Sequence, residues 1–72
     1  MKEKLIELAQ YMRDNNESSF VACEQAKSVS EAAEFAYDKW MEKKPEGFDR
    51  EQTGKVLLDF KVQWVLKLAE TL

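Results

Sequence analysis

The sequence predicts an all-α protein, a small three-helix domain that self-associates through its C-terminal helix. Apolar residues near the N-terminus recur at helical spacing, and the middle of the chain is rich in Ala, Glu and Lys, which are strong helix formers. The chain has only 72 residues, one cysteine and no histidine, so neither an internal disulfide nor the usual zinc and haem ligand sets can stabilise its core. We therefore expect residues 1–72 to form one domain, without metal or cofactor, that gains stability from association.

The first predicted helix covers residues 2–13. Four apolar residues recur at the spacing of one helical face, and charged residues occupy the other face. The segment "DNNESS", residues 14–19, should end this helix because its side chains bond to their own backbone and favour turns. The apolar face consists of Leu5, Leu8, Ala9 and Met12.

The second predicted helix ends at residue 44 and starts at either residue 19 or residue 28. Ser28 and Glu31 have the spacing of a capping box, in which each side chain bonds to the backbone of the other residue. Pro45 should stop the helix. The preceding segment, residues 18–27, is either a separate helical turn or the first part of one long helix, and the sequence leaves both interpretations open.

The third predicted helix covers residues 49–71, with Asp49 and Gln52 at capping spacing. Its segment "VLLDFKVQWVLKL", residues 56–68, contains nine apolar residues in thirteen. The apolar residues nearly alternate with polar ones, which also fits a half-buried strand. We favour a helix because the polar residues line up at spacings of three and four, and because the chain offers few other strands for pairing.

The apolar arc of this third helix is wider than a surface helix usually shows. Two shorter helices should not cover all of it, so we expect another copy of the chain or a different protein to cover part of it, and we predict a homo-oligomer. The alternative is that the three helices cover one another and that the segment is simply core. The residues predicted to mediate self-association are Leu58, Val62, Trp64 and Val65.

Acidic residues concentrate in the middle of the chain, where residues 15–47 hold seven acids and four lysines. A protein that binds nucleic acid directly normally shows the opposite bias, so we expect no such binding. Four acids recur at spacings of three and four and should share one helix face. They could bind a divalent cation, perform acid and base catalysis, imitate a phosphate backbone towards a protein partner, or form an ordinary solvated face. These residues are Glu31, Glu34, Asp38 and Glu42.

A second candidate site combines an aromatic residue with nearby cations. Trp40 is close in sequence to Lys43, Lys44 and Arg50, and together they could bind a nucleotide at a subunit interface. The more common role of such an aromatic residue is core packing.

The function that we predict is that of a small non-enzymatic binding protein, an inhibitor or adaptor that acts on a protein partner. The chain has no histidine and no glycine-rich phosphate loop, and we expect Cys23 to be an ordinary core or boundary residue. This character is common among small accessory and inhibitor proteins of bacteria and their phages. The alternative function is an oligomeric small-molecule or nucleotide-sequestering protein. We expect a cytoplasmic location and no membrane segment, because no export signal, no long apolar run and only one cysteine occur.

Overall fold

The computed structural model describes residues 1–42 and 53–72. These residues form four helices, which are α1 (Lys2–Asn15), α2 (Phe20–Cys23), α3 (Ser30–Glu42) and α4 (Gly54–Glu70). The described residues contain no strand, so the predicted all-α class is confirmed. The strand interpretation of residues 56–68 is wrong, because the whole segment lies inside α4.

Helix α1 ends as the cluster of turn-forming residues predicts, although two residues later than expected. Asn16 takes the left-handed conformation, with φ 51° and ψ 44°. The backbone N–H of Glu17 then donates to the carbonyl oxygen of Met12 at 2.9 Å. Asparagine tolerates this conformation better than most residues, and the resulting bond satisfies a carbonyl at the helix end.

Helix α2 is a separate short helix, which resolves the question left open by the sequence. The Ser19 hydroxyl accepts a hydrogen bond from the backbone N–H of Ala22 at 3.2 Å and caps α2. The Glu17 carboxylate accepts from the backbone N–H of Ser19 at 3.1 Å. Turns follow α2, and the chain enters α3 at Ser30, two residues after the predicted cap at Ser28.

Helix α4 begins after Thr53, whose backbone is extended. Gly54, its first residue, has a φ of 58°, which favours glycine over residues with a side chain. The predicted capping residues Asp49 and Gln52 lie outside the described residues.

The core forms chiefly between α1 and α4, while α3 packs against α1 and α2. Helix α1 contributes large apolar side chains, whereas α3 contributes three alanines and one tryptophan. The side chains with less than 2% exposure and the largest volume are Leu5, Leu8, Met12, Val62, Val65 and Cys23.

The structure corrects the expectation that Leu58, Val62 and Val65 lie on an uncovered face. All three are buried in the core of their own chain, at 6%, 1% and 0% exposure. The apolar residues of α4 form two rows along the helix. The first row contains Leu58, Val62 and Val65 and is buried in the same core as the large apolar side chains of α1. Trp64 lies in the second row together with Phe60 and Leu68, and all three are half-buried against the same core. The half-buried residue Leu57 continues this row towards the start of the helix.

The burial of the first row can be tested by making the same substitution at one buried and one exposed position of α4. Val65 is 0% exposed and Val56 is 61% exposed. Val65→Ala removes two buried methyl-sized groups at roughly 0.8 kcal/mol each and leaves a cavity, so we expect a loss of about 2 kcal/mol in the free energy of unfolding. Val56→Ala should change it by less than about 0.5 kcal/mol. Urea denaturation followed by circular dichroism measures both, and equal losses would contradict this packing.

Candidate functional site

The outer side of α3 is the candidate functional site. The buried side of this helix consists of Ala32, Ala33, Ala36 and Trp40. At about 100° per residue, the four predicted acidic residues fall on the opposite side. The structure brings them together as one exposed row, which we call the acidic face: Glu31, Glu34, Asp38 and Glu42.

Two residues of the acidic face have a cation beside them. Lys4 Nζ donates to the Glu31 carboxylate at 2.7 Å and connects α1 with α3. This hydrogen bond, together with the lysine charge, lowers the pKa of Glu31 and raises the pKa of Lys4. Glu31 therefore does not complete the predicted capping box with Ser28. Lys39 Nζ lies 3.6 Å from the Glu42 carboxylate.

Glu34 and Asp38, in the middle of the row, form no ion pair with any residue of 1–42 or 53–72. Helix α3 holds four acidic residues and one lysine, so its net charge of −3 equals the net charge of the whole chain. The rest of the sequence balances its charges. The described part of α3 therefore carries an excess of negative charge.

Two exposed apolar side chains border the acidic face. Tyr37 and Met41 are 36% and 56% exposed, and they lie one helical turn apart beside Glu34. The sequence pattern placed Tyr37 beside the apolar side of the helix, but it assigned neither Tyr37 nor Met41 to a binding site. A helical projection of the same residues could have found them, since it places both between the acidic row and the buried side.

The opposite border of the acidic face holds a shallow groove of about 280 Å³. Phe35 and Met1 supply its apolar lining, and three carboxylates surround it. Phe35 is half-buried, and Lys39 Nζ lies 5.6 Å from the centre of its ring. The carboxylates are those of Glu31, Glu34 and Asp38.

A larger cleft between α1 and α4 has a different character. Its volume is about 410 Å³, and Arg13, Lys55 and Asp59 line it together with Asn16 and Leu58. Opposite charges occur side by side there, so the cleft has no strong preference for an anion or a cation.

The predicted ligand pocket around Trp40 is not a stacking site in this structure. Trp40 is 6% exposed, and its ring packs edge-on against neighbouring rings at centroid distances of 5.8 Å (Phe20), 6.3 Å (Phe60) and 5.0 Å (Trp64). Phe20 and Trp64 are also 5.8 Å apart. We call these four residues the aromatic cluster. A base cannot stack on a ring whose faces and edges are in contact with the core. Lys43, Lys44 and Arg50 lie outside the described residues.

Lys61 is the cation that the structure brings to the aromatic cluster. Its Nζ lies 5.0 Å from the ring centre of Phe20 and 5.1 Å from that of Trp40, within cation–π range. Burial lowers the pKa of Lys61. Sequence reasoning treated Lys61 as a polar residue of α4 and missed this contact. The signal that could have found it is its position next to Phe60 and three residues before Trp64.

Cys23 is fully buried and lies near Glu17 and Lys61. Burial raises the pKa of its thiol to about 11, the Glu17 charge adds to the increase, and Lys61 opposes it. A thiol with this pKa is almost fully protonated at neutral pH and is a poor nucleophile. Among the described residues, no group of three or more Cys, Asp and Glu side chains is placed to hold a metal ion.

The Cys23 thiol should make stability fall at high pH. Its folded pKa of about 11 exceeds the ordinary value of 9.0, so the unfolded thiol ionises first as the pH rises. The stabilising contribution is therefore complete below pH 9.0 and is lost as the pH rises through the folded pKa. Two pKa units correspond to at most about 3 kcal/mol. We expect urea titrations to show this fall in the wild type and a smaller fall in Cys23→Ala.

Lys61 affects the pH dependence of stability in the opposite direction. Its pKa is lowered in the folded state, so its contribution to stability increases as the pH rises, and it is present in both proteins. Because the charges of Lys61 and Cys23 interact, the difference between the wild type and Cys23→Ala reports the thiol together with this interaction. Parallel stability curves for the two proteins between the unfolded and folded pKa values would contradict the assignment.

No helix among the described residues is both long enough and apolar enough to cross a membrane. The chain matches no family model, no curated protein and no solved structure.

Proposed function

We propose that this chain is a small non-enzymatic binding protein that uses the acidic face of α3 to contact a protein partner, as an inhibitor or adaptor. One observation carries the proposal. Four carboxylates lie on the exposed side of one helix, and Tyr37 and Met41 are exposed directly beside them.

A purely solvated helix face would need no such concentration of charge. Like charges one turn apart destabilise a helix by a few tenths of a kcal/mol per pair, and interleaved lysines would remove this cost. Single exposed apolar residues are ordinary on a protein surface. The pair of Tyr37 and Met41 next to the carboxylates of Glu34 and Asp38 combines an apolar contact with a charge pattern, which is the combination that specific interfaces use.

The described residues give little support to an enzymatic function. Cys23 is buried and protonated. A carboxylic acid that donates a proton near neutral pH needs a raised pKa, whereas the hydrogen bond from Lys4 lowers the pKa of Glu31. The single buried thiol also fits a reducing compartment, so we place the proposed binding function in the cytoplasm.

The alternative function, nucleotide sequestration at a subunit interface, has weaker support. Its proposed stacking residue, Trp40, is enclosed by Phe20, Phe60 and Trp64. A nucleotide that stacked on Trp40 would have to displace core contacts of its own protein.

Self-association stays a prediction. Leu58, Val62 and Val65 are core residues, so of the four predicted residues only Trp64 remains for contact with a second copy. We therefore assign the contact to the half-buried row that includes Leu57, Trp64 and Leu68. Sedimentation equilibrium at micromolar concentration checks this prediction. A dimer gives a mass well above 8.4 kDa, and Leu57→Lys should lower it. A mass of 8.4 kDa at every concentration would contradict self-association.

The binding function is tested with a variant that removes only the charges of the acidic face. We choose Glu34→Gln, Asp38→Asn and Glu42→Gln together and leave Glu31 in place, because Glu31 connects α3 to Lys4. Protein captured from a lysate of the source cells is identified by mass spectrometry. We expect the wild type to retain a specific partner and the triple variant to lose it, with the helical signal and thermal midpoint nearly unchanged, because exposed charges contribute little to stability.

The matched control changes three exposed acids on other helices, by Glu7→Gln, Asp59→Asn and Glu70→Gln. This control variant has the same net charge as the triple variant. If binding depends on the position of the charges and not on their sum, the control should capture the partner normally. Normal capture by the triple variant, or equal loss in both variants, would overturn the proposed function.

A further inference from the structure

We propose that the partner presents a basic amphipathic helix, which lies along α3 with cationic side chains on Glu34, Asp38 and Glu42 and apolar side chains on Tyr37 and Met41. This inference rests on the proposed function and specifies the chemistry of the partner. Three observations support it, namely the spacing of the two rows, the charge density of the acidic face and the groove at its border.

The spacing of the two rows fits a helix. Glu34, Asp38 and Glu42 are separated by one turn each, or about 6 Å along the axis at about 1.5 Å per residue. Tyr37 and Met41 form a second row with the same spacing, parallel to the first. A helix presents two adjacent rows with this spacing, whereas an extended strand presents one row on each face at about 6.6 Å. An amphipathic helix can therefore satisfy both rows at once.

The charge density argues against a partner whose surface is built for nucleic acid. Glu31 and Glu42 are about 16.5 Å apart along the axis, so the four carboxylates provide about one charge per 5.5 Å. Duplex DNA carries one charge per about 1.7 Å, and each strand carries one per about 3.4 Å. The acidic face is sparser than either, and its apolar row has no counterpart in a phosphate backbone. A short basic segment of a protein matches it better.

The groove offers a place for one long cationic side chain. Met1 and Phe35 form an apolar lining, and the carboxylates of Glu34 and Asp38 are at its edge. The methylene groups of a lysine or arginine pack on such a lining while the charge stays at the edge. Phe35 already has Lys39 Nζ 5.6 Å from its ring, which shows that this ring is accessible to a cation. Lys39 is on the same helix as Phe35, and its Nζ also forms an ion pair with Glu42. A cation of the partner would therefore share the Phe35 ring with Lys39.

The test uses a synthetic, fluorescently labelled peptide of about 15 residues on an alanine background, long enough to form a helix when bound. Lysines recur at every fourth position, and leucines recur at every fourth position in the adjacent row. The control peptide has the same composition in scrambled order, so that it has the same charge but no apolar row. Fluorescence anisotropy with the full-length protein measures the dissociation constants.

We expect the patterned peptide to bind at least tenfold more tightly than the scrambled peptide. The triple variant Glu34→Gln, Asp38→Asn and Glu42→Gln should weaken binding of the patterned peptide by tenfold or more. The double variant Tyr37→Ala with Met41→Ala should weaken peptide binding several-fold. The control Val56→Ala, at an exposed position of α4, should change it less than twofold. Binding should also weaken as salt is added.

Equal affinity for the patterned and scrambled peptides would overturn the inference, because it would show charge attraction without helix recognition. Equal binding by the wild type and the triple variant would overturn it as well. If the peptide fails but the wild type still captures a lysate protein that the triple variant loses, the proposed function stands and the basic-helix partner is wrong. If both experiments fail, the proposed function fails with it. Tighter binding of a labelled DNA duplex than of the patterned peptide would contradict both.

Discussion

The contacts of Trp40 are the interaction on which the arrangement of α3 depends. Three of the four buried side chains of α3 are alanines, which allow close approach to α1 and α2 but bring little apolar bulk. Trp40 supplies that bulk and reaches α4 through Phe60 and Trp64, while Phe20 joins α2 to the same cluster. The acidic face is directly opposite this side of α3. The rings that fix the helix therefore also fix the direction in which its carboxylates point.

Local patterns predicted the helices well, because they depend on the chain itself. The four apolar residues of α1 and the turn after it follow from spacing and from the conformational freedom of asparagine. The burial of Leu58, Val62 and Val65 could not be predicted in this way, because a hydrophobic arc does not reveal what covers it. The estimate that two short helices supply too little surface neglected Phe20, which lies in the short helix α2 and extends the core towards the second row of α4.

The candidate site was predictable in its charges and not in its contacts. Spacings of three and four are sufficient to place Glu31, Glu34, Asp38 and Glu42 on one face. The pairing of Glu31 with Lys4 depends on how α1 lies against α3, which no local pattern contains. Lys4 offsets the charge of Glu31 at one end of the row, and Lys39 partly offsets that of Glu42 at the other end. The middle of the row is therefore its most negatively charged part. If the proposed binding function is correct, we expect recognition to centre on Glu34 and Asp38.

The position of Cys23 makes this thiol a reporter of opening. It is the only cysteine of the chain and is 0% exposed, next to the residues that join α2 to the core. A thiol-labelling reagent can react with it only while the core around it is open, so the labelling rate measures how often that opening happens. If a partner that lies on α3 tightens the core beneath it, labelling of Cys23 will slow. Labelling of Cys23 thus measures opening of the core at a residue that lies outside the proposed contact surface.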